Sequence, residues 1–210
     1  ADEYNKSLLH LSPTIAVINN IDFEHIECYN DIDDLKDTFL QFANSVPFYG
    51  TVCACKDSNN VASILSKIDK PIITYGIESQ NVDIKAENLH QENGTISFDV
   101  KIKDQIFSVN LSVPGKYNAY NALAALSVCE TMGIDLESAC KALSNFSGVK
   151  RRFDVKANKD IMIIDDYAHH PVEVQNVIET VKSNWNKNLN IIFQPHLFSR
   201  TKEFYKDFAK

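Results

Sequence analysis

The length and charge of this chain limit its function before any motif is considered. Its 210 residues are 44% hydrophobic and 23% charged, which is typical of a globular protein with one large or two smaller domains. The formal net charge of -7 disfavours nucleic-acid binding, because contacts with a phosphate backbone depend on clustered Lys and Arg. No apolar stretch approaches the roughly 20 residues that span a bilayer, so we expect no membrane insertion. Five cysteines without a Cys-x-x-Cys pair suit a reduced, cytoplasmic protein.

The first part of the chain alternates between apolar strands and amphipathic helices. Short apolar runs predict buried strands, and helical spacing of Leu, Ile and Phe predicts the helices between them. The strands are predicted at 14–19, 51–55 and 71–75, and the helices at 33–42 and 59–68. This order indicates an α/β domain with a parallel sheet. Because side chains alternate across a strand, Cys53 and Cys55 should lie on the same face of that sheet.

The pattern changes to two-residue alternation between Val82 and Val113. Asn93-Gly94 and Asp104-Gln105 separate the apolar runs, so we expect hairpins that form an antiparallel appendage. Two helices rich in Ala and Leu are then predicted, at 118–132 and 135–146.

A linker at 148–152 predicts a domain boundary, with residues 1–148 on one side and 149–210 on the other. After the linker, strands are predicted at 161–164 and 190–193, and helices at 172–181 and 199–210. This renewed alternation indicates the beginning of a Rossmann-like domain. The chain has no initiator Met and stops within its last predicted helix, so we expect an internal piece of a longer protein.

Five polar clusters lie at the predicted carboxyl ends of strands or at the linker, where α/β proteins bind ligands. The clusters are residues 19–25, 114–122, 148–153, 165–171 and 194–201. Their common location predicts a cleft between the two domains that binds a charged ligand.

The first three clusters also have a purely structural interpretation. His25 lies among carboxylates and could be a metal ligand or a histidine of a solvated acidic loop. Asn118 and Asn121 share one face of a helix, so their amides could contact a purine edge, or Asn118 could only cap the helix. The cations at 150–152 could clamp phosphates or form a solvated hinge. The phosphate-loop pattern G-x-x-x-x-G-K-[ST] does not occur in the sequence.

The last two clusters contain further candidates. An acid, a phenol and two imidazoles lie within residues 165–171, although adjacent histidines are poorly arranged for a zinc site. Arg200 lies near the start of a predicted helix and is a candidate for anion binding.

These clusters, in this order, resemble the motifs of the Mur ligase family. The matching stretches extend over nearly the whole chain, and together they are specific although each is weak alone. They are residues 1–3, 8–13, 20–25, 46–50, 114–122, 151–153, 165–171 and 194–196. Within the family, the resemblance is closest to members that join L-alanine to UDP-N-acetylmuramate in peptidoglycan synthesis.

The resemblance implies a particular piece of a three-domain enzyme. Members of the family bind a UDP-sugar in the first domain, ATP in the central domain and the incoming amino acid in the last. This chain would then begin within the ATP-binding domain and end within the C-terminal domain. The UDP domain and the phosphate-binding loop would lie upstream, so we expect no ligase activity from residues 1–210 alone.

The resemblance also implies roles for residues at matching positions, with ATP and Mg²⁺ as the expected cofactors. His25 resembles a magnesium ligand, and Asn118 and Asn121 resemble the contacts to adenine. Arg152 resembles the arginine that reaches across the domain junction to the ATP phosphates. Asp166 resembles the acid on the ribose or phosphate side of the nucleotide.

The expected substrates are UDP-N-acetylmuramate and L-alanine, which the family joins through an acyl phosphate. Tyr167, His169 and Arg200 resemble the residues around these substrates. Arg152 and His169 are the candidate catalytic residues. Arg152 would neutralise phosphate charge, and His169 would orient the substrate or accept the amine proton.

Three positions depart from the family pattern. Tyr117 stands where His is usual, Glu24 stands where Asp is usual, and Leu197 stands where some members have a second substrate-side arginine. Two alternatives stay open at this point: a family member that ligates murein tripeptide, and a nucleotide-binding fragment without catalysis.

Overall fold

The computed structural model describes residues 4–23 and 28–209, which form two sheets and the helices packed on them. The strands are β1 (Ile15–Ile18), β2 (Thr51–Cys55), β3 (Ile72–Gly76), β4 (Ile84–Glu92), β5 (Thr95–Ile102), β6 (Gln105–Leu111), β7 (Asp154–Asn158) and β8 (Met162–Asp165). The α-helices are α1 (Ile32–Asn44), α2 (Asn59–Ile64), α3 (Lys116–Thr131), α4 (Leu136–Leu143), α5 (Pro171–Asn184) and α6 (Phe198–Phe208). Short 3-10 helices occur at Tyr4–His10 and Leu65–Lys67. The predicted α/β class is confirmed.

Strands β1, β2 and β3 are parallel neighbours connected by α1 and α2. Local sequence explains where these helices begin. The Asp31 side chain accepts hydrogen bonds from the backbone N–H groups of Asp33 and Asp34, and Ser58 caps α2 in the same way. The predicted helix at 59–68 is α-helical only as far as Ile64, after which the chain tightens into a 3-10 turn.

The antiparallel hairpins are continuous with the parallel sheet. β4 pairs in parallel with β3 through Tyr75 opposite Ile84, and β4, β5 and β6 then pair antiparallel. The β4–β5 turn contains Asn93 (φ 51°) and Gly94 (φ 83°), as an Asn-Gly hairpin turn requires. The predicted appendage is therefore an extension of one six-stranded sheet.

Apolar side chains cover both faces of this sheet. Cys53 and Cys55 pack with α3 on one face, whereas Val52 and Ala54 pack on the other with residues of α1 and α2. The predicted orientation of the two cysteines is thus confirmed. Burial of one large aliphatic side chain contributes about 1.5–3 kcal/mol, so these two layers hold the parallel strands and their loops in fixed positions.

Beyond residue 148 the chain forms a separate, smaller sheet. β7 and β8 pair antiparallel, and α5 and α6 follow. Strand β7 was not predicted, because its sequence Asp-Val-Lys-Ala-Asn is mostly polar. The strand predicted at 190–193 is wrong, since these residues are irregular and Ile192 is fully exposed. A strand needs a hydrogen-bonded neighbour, and no described strand pairs with this segment.

In the described part of the chain, no helix combines the length and the apolar character that a membrane span needs.

Candidate functional site

A cavity of about 670 Å³ lies between α3 and the chain that follows residue 148. This size is in the range of small-ligand sites. Both sides of the linker contribute to its wall. The polar residues that line it are Asn20, Tyr117, Asn118, Asn121, Arg152, Asp166, Glu173 and Asn176. Four predicted site residues, namely Asn118, Asn121, Arg152 and Asp166, are therefore brought together at one cavity.

The start of α3 depends on Gly115. This residue has φ 99°, and an added Cβ would lie 2.4 Å from the Tyr117 ring. Only glycine combines this backbone conformation with so close an aromatic ring. The Gly115 N–H donates to Gln91 Oε1 at 3.1 Å, so β4 also holds the beginning of the helix. This turn directs Tyr117 and Asn118 towards the cavity wall.

The two predicted amides belong to a longer hydrogen-bonded chain. Asn121 Nδ2 donates to Asn118 Oδ1 at 3.4 Å, and Asn118 Nδ2 donates to the Pro114 carbonyl at 2.7 Å. Asn19, at the end of β1, donates through Nδ2 to Asn121 Oδ1 at 3.2 Å. Asn19 was part of a predicted cluster, but its contact with Asn121 was not foreseen.

Tyr117 lies at the junction between the two halves of the cavity wall. Burial raises the pKa of its phenol to about 12, and the nearby Asp166 carboxylate acts in the same direction. The Arg152 guanidinium partly opposes this rise in pKa. The phenol therefore keeps its proton near pH 7, within electrostatic reach of the Asp166 carboxylate and the Arg152 guanidinium.

Arg152 extends from the linker towards α5. Its Nη1 donates to Glu173 Oε1 at 3.2 Å, and about half of its side chain remains exposed. Glu173 also caps α5, because its Oε2 accepts the backbone N–H groups of His169 and His170 at 3.0 and 3.3 Å. Burial raises the pKa of Glu173, but these hydrogen bonds and the interactions with His169 and Arg152 outweigh it, so the pKa is lowered. Sequence analysis missed Glu173.

Asp166 joins the linker to the loop after β8. Its Oδ2 accepts the Phe153 N–H at 2.7 Å, and its Oδ1 accepts the Ala168 N–H at 2.7 Å. Phe153 has φ 49°, an unusual conformation for a bulky residue, and this hydrogen bond helps to hold it. Asp166 therefore shapes the linker as well as the cavity wall.

Three aromatic side chains form a second group outside the cavity wall. The rings of Tyr167 and His169 are 4.8 Å apart, and His196 lies 6.0 Å from His169 and 6.3 Å from Tyr167. The Arg151 guanidinium lies 4.7 Å from the centre of the Tyr167 ring, within reach of a cation–π interaction. His196 was not assigned a role from sequence.

The adjacent histidines 169 and 170 have different surroundings. His170 accepts the Val172 N–H through Nδ1 and packs against Phe204 of α6, so it caps α5 and joins two helices. His169 Nδ1 lies 2.7 Å from the Tyr167 carbonyl. Arg200 is buried, and its Nη1 donates to the His196 carbonyl at 3.3 Å, beside the aromatic group.

The proposed magnesium ligand His25 lies outside the described residues. Among the residues that are described, no three His, Cys, Asp or Glu side chains converge as metal ligands.

The chain is similar in sequence and fold to peptidoglycan ligases. Residues 2–129 match the Mur ligase middle domain, and residues 151–210 match the Mur ligase glutamate ligase domain. The UDP-N-acetylmuramate–L-alanine ligase of Geotalea uraniireducens (strain Rf4) is 42% identical over 212 residues, which cover 100% of this chain and 46% of that protein. The chain thus spans about half the length of this relative.

Two solved structures of ligases have a fold similar to that of this chain. The UDP-N-acetylmuramate–alanine ligase of Thermotoga maritima has a TM-score of 0.78 and 26% identity, covering 95% of this chain and 45% of that chain. MurF ligase of Thermotoga maritima, solved in complex with ADP, has a TM-score of 0.71 and 21% identity, covering 81% of this chain and 39% of that chain. With its middle-domain match extending over more than half of its residues, this chain belongs to the Mur ligase family.

Proposed function

We propose that this chain is part of an ATP-dependent ligase that joins L-alanine to UDP-N-acetylmuramate in the cytoplasm. The observation that carries the proposal is the cavity wall, in which two asparagine amides on α3 lie opposite Arg152 and Asp166 of the following segment. Similarity at 42% identity to a ligase named for these two substrates supports the choice within the family.

The cavity wall has the chemistry that a purine nucleotide needs. Asparagine amides both donate and accept, and adenine is the base that pairs with them in two hydrogen bonds. A guanidinium forms strong, paired hydrogen bonds with phosphate oxygens. We therefore assign Asn118 and Asn121 to adenine, Arg152 to the phosphates and Asp166 to the ribose or phosphate side. The ADP complex of the related MurF ligase supports a nucleotide as the ligand.

The proposed reaction has two steps. A carboxylate oxygen of UDP-N-acetylmuramate attacks the γ-phosphorus of ATP, giving an acyl phosphate and releasing ADP. The amine nitrogen of L-alanine then attacks the acyl carbon, phosphate leaves, and the nitrogen loses a proton. Both steps bring anions together, so a cation such as Arg152 lowers the barrier by neutralising charge on the transferring group.

The aromatic group after β8 is assigned to the substrates. Tyr167, His169 and Arg200 would surround the acyl group and L-alanine. Because a carbonyl oxygen only accepts hydrogen bonds, the contact with the Tyr167 carbonyl favours a proton on Nδ1 of His169. In that tautomer Nε2 is the basic nitrogen, which suits the orientation of the amine or acceptance of its proton.

The domain division follows from the same proposal. Residues 1–148 would belong to the ATP-binding domain and residues 149–210 to the amino-acid-binding domain, with Arg152 reaching from the second to the first. Mg²⁺, with His25 as one ligand, is proposed as the metal of the complete enzyme.

The test is an assay of phosphate release from ATP with UDP-N-acetylmuramate as the acceptor. The protein that contains this chain together with a phosphate-binding loop should turn over with L-alanine and not with murein tripeptide. The 210-residue chain alone should be inactive. Turnover with tripeptide in preference to L-alanine would replace the proposed substrate, and turnover by the isolated chain would contradict the proposed division of the active site.

A further inference from the structure

The amides of Asn118 and Asn121 are held by residues behind the cavity wall. The Tyr75 hydroxyl donates to Asn19 Oδ1, and Asn19 Nδ2 donates to Asn121 Oδ1 at 3.2 Å. The chain continues through Asn118 to the Pro114 carbonyl. Neither Tyr75 nor Asn19 is part of the cavity lining, so both would act on a ligand only through the amides on α3.

The groups at the two ends of this hydrogen-bonded chain fix the direction of every hydrogen bond within it. A backbone carbonyl only accepts, so Pro114 requires the Nδ2 group of Asn118 and leaves Asn118 Oδ1 facing Asn121. By the same reasoning, Asn121 Oδ1 faces Asn19, and Asn19 Oδ1 faces Tyr75. A donor is needed at that end, and the Tyr75 hydroxyl supplies it.

Tyr75 is well suited to act as a permanent donor. Its side chain is fully buried between β2, β4 and α3, and burial strongly raises the pKa of its phenol, so the hydroxyl keeps its proton. Its other neighbour, the Ile18 carbonyl, is 3.4 Å away, a weaker contact than that with Asn19. The Tyr75 hydroxyl at one end of the hydrogen-bonded chain and the Pro114 carbonyl at the other therefore impose the same direction on its hydrogen bonds.

We propose that Asn19, held by Tyr75, is a positioning residue that fixes the orientation of the Asn121 and Asn118 amides and thereby the preference of the cavity for adenine. This proposal rests on the nucleotide site proposed above. Asn121 keeps one N–H and one oxygen lone pair for a ligand, and Asn118 keeps one oxygen lone pair, because its second N–H faces the Tyr117 phenol. Adenine offers an amine and a ring nitrogen along one edge, whereas guanine offers a carbonyl where adenine has the amine. An amide that cannot rotate distinguishes these two groups, and one that rotates accommodates either.

The decisive variant is Asn19→Asp, which keeps the shape of the side chain but removes its donor. An aspartate opposite Asn121 Oδ1 requires Asn121 to rotate, and this rotation conflicts with the direction imposed by Pro114. The added negative charge weakens ADP and GDP binding alike, so the ratio of the two dissociation constants isolates the effect on the base. Tyr75→Phe is the second variant, because it removes one end of the chain and leaves the Pro114 end intact.

The experiment uses the ¹⁵N-labelled complete ligase, which contains this chain together with the phosphate-binding loop. The side-chain amide resonances of Asn19, Asn118 and Asn121 are recorded first without ligand and then during titration with ADP and with GDP. Asn19→Asp should shift the Asn118 and Asn121 resonances before any ligand is added. It should also lower the preference for ADP over GDP by roughly tenfold, the discrimination expected of one well-formed amide–base pair. Tyr75→Phe should lower it by less.

Tyr120→Phe is the matched control. Its hydroxyl lies on α3 itself and donates to Asp57 Oδ2 at 2.9 Å, outside the amide chain. This variant should leave both the resonances and the base preference unchanged. Unchanged Asn118 and Asn121 resonances in ligand-free Asn19→Asp would overturn the hydrogen-bonded chain. Shifted resonances with an unchanged ADP-to-GDP ratio would overturn the role in base preference alone. A wild-type complete ligase that binds neither nucleotide would overturn the proposed nucleotide site itself.

Discussion

Phe153 and Trp185 form an offset stack, with ring centroids 5.8 Å apart and ring planes inclined by 12°. Phe153 directly follows the linker, and Trp185 follows the end of α5. Trp185 also lies against Gly94 in the β4–β5 turn, whose N–H donates to Asn184 Oδ1 at 3.1 Å. The two halves of the molecule therefore also meet away from the linker, at this hairpin turn. This contact helps to determine where Arg152 lies relative to α3.

Substitution of Gly94 by Ala should disturb the contact between the β4–β5 turn and Trp185. The new Cβ would lie 3.0 Å from Trp185 Cζ2, and the residue would keep a positive φ of 83°. Trp185 is the single tryptophan of the chain, so tryptophan fluorescence reports on the surroundings of this one side chain. We expect a red-shifted emission maximum and a loss of about 1–2 kcal/mol in the free energy of unfolding, from backbone strain and displaced contacts.

Gly133→Ala is the control for Gly94→Ala. Gly133 also has a positive φ, 66°, but a Cβ there would meet no atom within 4 Å. It should cost a similar amount of stability, about 1 kcal/mol, without changing the tryptophan emission. Equal emission spectra for the two variants would show that the hairpin turn does not hold Trp185.

The Asp57 carboxylate should be a pH-dependent anchor for the loop after β3. It accepts the backbone N–H groups of Ile77, Glu78 and Ser79 at 2.6–2.8 Å and the Tyr120 hydroxyl. Burial raises the pKa of Asp57, but these hydrogen bonds dominate and hold the pKa far below its usual range. A depressed pKa in the folded state means that the stabilisation is complete above the unfolded-state pKa of about 4 and is lost as the pH falls below it.

Asp57→Asn tests this anchor. The variant should lose about 1–2 kcal/mol at pH 7, allowing for the partial exposure of the site. Urea unfolding from pH 7 to pH 3 should show the difference between wild type and variant shrinking below about pH 4. A difference that stays constant over this range would mean that the charge of Asp57 does not provide the stabilisation.

The close approach of Gly115 and Tyr117 predicts a coupled pair of substitutions. Gly115→Ala should be strongly destabilising, because it combines a φ of 99° with a Cβ only 2.4 Å from the Tyr117 ring. Tyr117→Ser removes that ring but leaves the backbone strain. In a double-mutant cycle measured by chemical unfolding, the double variant should be more stable than the sum of the single effects predicts, by about 1 kcal/mol or more. Additive effects would exclude the steric conflict.

The elements that sequence predicted well are those specified by local pattern. β2 is predicted at its observed bounds because a short apolar run ends at polar turn residues. Asn93-Gly94 adopts the positive φ values that a tight hairpin requires, so this turn is readable from two residues. The positions of Asn118, Arg152 and Asp166 at one cavity follow from the rule that strand ends and linkers hold ligands.

The features that sequence missed depend on contacts between distant residues. Asn19 and Asn121 are 102 residues apart, and no local pattern indicates that their amides meet. Glu173 looks like an ordinary charge in the first turn of a helix, because the residue that caps α5 is His170 rather than Ser, Thr, Asp or Asn. The segment 190–193 has the composition of a strand, but none of the described strands pairs with it. Strand pairing depends on other parts of the chain, so it cannot be predicted from one segment alone.

Arg152 and Glu173 should make very different contributions to stability. Their ion pair is exposed at the Arg152 side, and such a pair contributes at most about 1 kcal/mol. Glu173 additionally accepts two backbone N–H groups at the start of α5, a capping interaction that contributes about 1 kcal/mol or more. Chemical unfolding should therefore show a loss of about 1–2 kcal/mol for Glu173→Ala and less than about 0.5 kcal/mol for Arg152→Ala.

Activity should show the opposite order for the two variants. Arg152→Ala should strongly reduce turnover in the complete ligase, because it removes the cation assigned to the phosphates. Arg152→Lys restores the charge but not the paired hydrogen bonds, so it should recover only part of the rate. A stability loss for Arg152→Ala as large as that for Glu173→Ala would indicate that Arg152 serves the fold. Its place in the cavity wall would then need no ligand to explain it.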